Sequence, residues 1–137
     1  MKKLSILGLA LLLFGCQEEG VLTQTPNSTT LNPNATLRYF GDFYPTAGIQ
    51  VEGGVRIYQT PGGFQLELNG FSISSGPDLK VYLSQADTPS NFVNLGNLTG
   101  QTVYSIPNAV NLSNYSHVLI HCQQYNHLFA IAPLQEN

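Results

Sequence analysis

The chain has 137 residues, a formal net charge of −3 and only 9% charged residues, against roughly 25% in an average soluble domain. That length suits one domain with an ordinary core, and the scarcity of Lys and Arg excludes nucleic acid as a backbone-bound partner. Seven Phe and seven Tyr exclude a disordered acidic chain, while 13 Gly and 8 Pro disfavour a helical bundle.

In chain order, a basic start (Met1-Lys2-Lys3) precedes eleven mostly apolar residues from Leu4 to Phe14. A bilayer core needs about 20 helical residues, so this run reads as a secretory leader, not a span. Its end, Leu13-Phe14-Gly15-Cys16, resembles a bacterial lipobox, although Phe14 is bulkier than that pattern usually carries. The resemblance implies a signal peptide over 1–15 and a lipidated Cys16 that ties the chain to the membrane. Loss of Lys2 and Lys3 would leave three basic residues against eight acidic ones, a mature net charge of −5. Such a chain is repelled by anionic lipid, so the acyl chains must do the anchoring. The expected location is the bacterial cell envelope, at the outer membrane or cell surface.

Residues 16–37 are rich in Thr, Asn and Pro and lack an apolar period, which predicts a flexible tether. Beyond it the period becomes two. Val55-x-Ile57, Phe64-x-Leu66-x-Leu68, Leu79-x-Val81-x-Leu83 and Val118-x-Ile120-x-Cys122 alternate over short runs. Turn chemistry separates them at Pro61-Gly62-Gly63, Asn69-Gly70, Ser75-Gly76-Pro77, Asn97 to Gly100 and Pro107-Asn108. The expected fold is all-β, an antiparallel sandwich or jelly-roll-like barrel of about seven to nine short strands. One helical turn is expected between Gln85 and Asn94, and Gly53-Gly54 reads as a turn or bulge pair.

The segment Asn69 to Ser84 contains Gly76-Pro77-Asp78-Leu79 followed by Val81-Tyr82-Leu83, and it resembles the central motif of the DM-thirteen (electron-transfer DM) domain. Its flanks agree at Gly41-Asp42-Phe43 and Gly54-Val55, at Leu95-Gly96-Asn97-Leu98 and Tyr104-Ser105-Ile106-Pro107, and at Val118 to Cys122 with Phe129 to Leu134. The resemblance covers about 38–134. It implies an electron-transfer role centred on Cys122, as a bare thiol or as ligand to a prosthetic group such as haem, with a separate redox protein as partner. Two departures stand out: His121 occupies a position often aromatic, and Ala130 one that is usually Gly.

Cysteine arithmetic singles out the same residue. With Cys16 acylated, Cys122 has no partner in its own chain, and an unpaired thiol is unusual in an exported protein. The bland alternative is that Cys122 shares a strand face with Val118 and Ile120 and merely fills the core. On that view the domain is a non-catalytic binding or adhesion module, not an enzyme.

The histidines limit metal chemistry. His121 adjoins Cys122 and must point to the opposite face; His117 and His121 share a face but stand about 13 Å apart, too far for one zinc. His127 is the better partner. If 123–126 form a four-residue hairpin loop, His127 lies opposite Cys122, and an imidazolium there would favour a thiolate. Otherwise all three histidines are expected at surface or half-buried positions. Asp78 is expected to cap its turn, and the aromatic cluster Tyr39, Phe40, Phe43 and Tyr44 is expected to divide between core and rim.

Overall fold

Period-two apolar runs bury one row of side chains per strand, and two such sheets must face each other to complete the burial. The computed structural model describes residues 30–137 and shows this arrangement. The expected leader 1–15, Cys16 and the tether up to residue 29 lie outside the described residues. In chain order the strands are β1 (Thr36–Asp42), β2 (Tyr44–Pro45), β3 (Val51–Thr60), β4 (Gly63–Ile73), β5 (Leu79–Ser84), β6 (Val93–Asn97), β7 (Val103–Ile106), β8 (His117–Cys122), β9 (His127–Pro133) and β10 (Gln135–Glu136). Two five-stranded antiparallel sheets result, ordered β10-β1-β3-β4-β7 and β2-β9-β8-β5-β6. The two-residue strands β2 and β10 carry the described count past the expected nine.

The core lies between the sheets. Val55 and Ile57 of β3, Leu66 and Leu68 of β4, Val81 and Leu83 of β5, and Val118, Ile120 and Cys122 of β8 form one buried cluster. Each fully buried aliphatic side chain contributes about 1.5–3 kcal/mol relative to exposure. A second, smaller cluster of Tyr82, Leu119 and Ile131 lies on the other face of the second sheet, with Leu128 packed against it.

Four expectations need correcting. The fold begins before residue 38. The Ala35 N–H closes a turn on Asn32 O, the Gln65 side chain accepts from the Asn32 N–H, and β1 starts at Thr36. No helix forms between Gln85 and Asn94; the buried Ser84 hydroxyl binds the backbone of Thr88 and Ser90 and organises that loop as bends. The described 3-10 turn lies instead at Leu112–Asn114, capped by the Asn111 side chain.

Asn69-Gly70, expected as a turn, lies inside β4. There the β3–β4 register shifts between Glu52 and Gly54, leaving Gly70 and Phe71 opposite Gly53 as a bulge, and the strand continues. Gly53 has φ +94, and a Cβ on it would stand 2.5 Å from Gly70 O and 2.6 Å from Asn69 O, so only glycine fits. Asp78, the fourth, forms an ion pair in place of the expected cap; its carboxylate meets Lys80 Nζ at 3.0 Å.

Candidate functional site

Strand β8 carries Cys122 at its last position, where it is 1% exposed within the main core. Residues 123–126 form the expected turn. Asn126 adopts φ 50, its N–H reaches Gln123 O at 3.2 Å, and Cys122 pairs with His127 across the ladder. On the other side Cys122 pairs with Leu79 of β5, the residue that closes the Gly76-Pro77-Asp78-Leu79 motif.

The motif and the cysteine, far apart in sequence, therefore meet at one end of the sandwich. Gly76 explains its own identity there: a Cβ would stand 2.8 Å from Leu79 Cδ2 and 3.0 Å from Phe129 Cζ. Phe129 joins them because β8 and β9 lose register between Ile120 and His121. Ile120 faces Ala130 and His121 faces Leu128, leaving Phe129 as the extra residue of a bulge that turns its ring into the core. Thr46 pins this bulge, its N–H and hydroxyl reaching Phe129 O and Leu128 O at 2.9 and 2.7 Å. Asp78 O accepts from the Gln123 N–H at 3.0 Å, tying the motif to the hairpin.

His127 is exposed and packs its ring edge-on against Phe129, with centroids 4.9 Å apart. The ladder brings it opposite Cys122, yet no hydrogen bond joins it to the sulfur among the described residues. His117 bonds Ser116 Oγ through Nδ1 at 2.7 Å.

His121 departs from expectation: it is 5% exposed, a buried residue. Its ring stacks on Tyr82 at 5.2 Å, and Tyr82 stacks in turn on the exposed Phe92 at 4.2 Å. Its Nε2 lies 3.0 Å from Asn126 Oδ1, while its buried Nδ1 has no hydrogen-bond partner. Burial holds the imidazole below its ordinary pKa, with His127 pushing the same way and the Asn126 bond opposing. Period-two reasoning gave the direction of His121 but not its burial, because the ring it stacks on, Tyr82, comes from β5, distant in sequence. The aromatic cluster divides as expected: Phe43 is buried and meets Phe71 edge-on, whereas Phe40 and Tyr44 are exposed.

Beside Leu79 the sandwich end opens into a cleft of about 390 Å³, walled by Phe71, Ile73, Gly76, Leu79, Leu98 and Thr102. A groove of about 610 Å³ lies across Ile73, bounded by Pro45, Ile49 and Glu52. Cys122 lines neither of them. A haem on Cys122 needs the sulfur to face an open apolar slot, and here the thiol is 1% exposed within the core beside Leu79, so the closed sandwich does not fit that group. Among the described residues no cluster of three or more His, Cys, Asp or Glu is placed to hold a metal ion.

The sandwich, its converging Gly-Pro-Asp-Leu motif and the terminal cysteine of β8 define a family. The family model described as Electron transfer DM13 matches residues 43–134, and the chain belongs to that family. No curated protein and no solved structure matches the chain.

Proposed function

We propose that the chain is an envelope lipoprotein, anchored through Cys16, whose domain exchanges electrons with a separate redox protein at Cys122. Family membership supports electron transfer, and the leader pattern supports the anchor. One observation carries the cysteine-centred part. Leu79 is both the ladder neighbour of Cys122 and a wall of the open cleft, so displacing that side chain uncovers the sulfur.

The chemistry is thiol–disulfide exchange. With Leu79 displaced, the thiol proton goes to water and the Cys122 thiolate attacks one sulfur of a disulfide in the partner. A bond forms between the two chains, the partner's S–S bond breaks, and its second sulfur leaves as thiolate. A second role, a binding module with Cys122 as inert filler, is favoured by its 1% exposure and by the lack of a bond to His127.

Labelling of Cys122 across a urea series separates them. A site opened by local motion labels at a rate nearly independent of urea below the unfolding transition. A rate that instead follows global unfolding, with its full denaturant slope, eliminates the thiol-exchange role and leaves the binding module. The anchor has its own test: Cys16→Ser should release the protein from the membrane fraction.

A further inference from the structure

The imidazole of His121 has no part in the thiol chemistry above, and its surroundings suit one protonation state. Across the ladder stands Lys80 of β5, a cation paired with Asp78 and bonded to Asn97. Tyr82 of β5 lies against the ring, and the Asn126 carbonyl faces Nε2. From β9, the apolar Leu128 pairs with His121, and His127 acts on it electrostatically. His117 lies further along its own strand face.

Nε2 therefore carries the proton donated to Asn126 Oδ1, and Nδ1 is left as a bare, buried lone pair. A second proton at Nδ1 would have no acceptor, and it would place a buried cation across from Lys80 and near His127. The ring can relieve this only by swinging into water, which breaks its bond to Asn126. Asn126 holds the left-handed position of the turn between β8 and β9, so losing that bond loosens the turn that begins beside Cys122.

We propose that His121 is a proton-operated latch on the β8–β9 hairpin: neutral, it holds closed the hairpin that starts at Cys122 and is tied through Gln123 to the Leu79 segment, and protonated, it lets the hairpin open. The link to the thiol rests on the thiol-exchange function proposed above; the latch itself does not.

The test is amide hydrogen exchange at Gln123 and Asn126 in the full chain, with mass-resolved disulfide labelling of the Cys122 peptide alongside, both corrected for the intrinsic rate at each pH, the labelling by that of an unfolded Cys122 peptide. Protection should stay level from pH 8 to 7, then fall by up to about tenfold per pH unit below 6.5, as expected for coupling to one proton. His121→Phe should keep protection level throughout, and Asn126→Ala should lower it at every pH. If His121→Phe fails to fold, His121→Gln, which keeps an amide donor for Asn126, replaces it.

Level protection in the wild type down to pH 5 overturns the latch, as does an equal fall in the histidine variant. Hairpin opening with no matching rise in Cys122 labelling overturns its hold on the thiol. Acid-accelerated labelling by the small disulfide reagent, in a protein that exchanges with no protein disulfide, supports the latch and removes only the proposed electron-transfer chemistry.

Discussion

The two faces of strand β8 show two ways of burying a side chain. Val118, Ile120 and Cys122 point between the sheets into an apolar interior that makes no directional demand. Leu119 and His121 point to the opposite face, where Tyr82, Ile131 and Leu128 build a thinner cover. There the imidazole keeps one nitrogen bonded and one bare. The inner face asks for an apolar side chain of the right shape; the outer face also asks for the right charge state. Adjacent residues thus combine a thiol hidden by packing with a base held neutral by its surroundings.

Substitutions that empty the inner face should have the largest effect. Ile120→Ala removes a fully buried side chain and should cost about 2–5 kcal/mol in urea unfolding. Next comes the chemistry of that face. Cys122→Ser places a hydroxyl where no partner bonds the native sulfur, and should cost about 1–3 kcal/mol. Tolerance of serine without loss would mean that the native cavity is wet, contrary to a dry inner face.

The outer face should respond to pH instead. Because the folded protein holds His121 below its ordinary value of 6.5, the unfolded chain binds the proton more readily. The associated stability is whole above pH 6.5 and is lost as pH falls from there toward the lower folded value. The urea midpoint should therefore drop on acidification, and His121→Phe should narrow the difference between pH 7.5 and 5.5. The smallest effect belongs to the rim. Phe92→Ala removes the exposed half of the Tyr82 stack and should cost about 0.5–1.5 kcal/mol. A loss as large as that of Ile120→Ala would show that the two faces are one core.

Much of this was legible one residue at a time. Alternation located the inner rows, and a four-residue loop at 123–126, taken only as a condition, put His127 opposite Cys122, where the ladder has it. The resemblance named the Gly-Pro-Asp-Leu segment but not its neighbour, because only the β5–β8 ladder brings Leu79 beside Cys122. Asn69-Gly70 misled because positive φ serves bulges as well as turns, and a bulge becomes visible only when the partner strand with Gly53 is present. His121 was placed on the correct face but left half in solvent, since Phe92 covers its neighbour Tyr82 from outside any strand period.

The corner where the chain changes sheets has a consequence for how the protein is made. β1 leads through Phe43 into β2 on the opposite sheet, and β9 returns through Leu134 to β10, which pairs with β1. The Asn137 side chain reaches Leu37 O across 100 positions of sequence. A ribosome working from the amino end finishes β1 early but cannot supply its outer neighbour until Gln135 and Glu136 are made, about a hundred residues later. Until then that edge stays unclosed, an exposed template for strand addition. A chain lacking residues 135–137 should keep the same open edge.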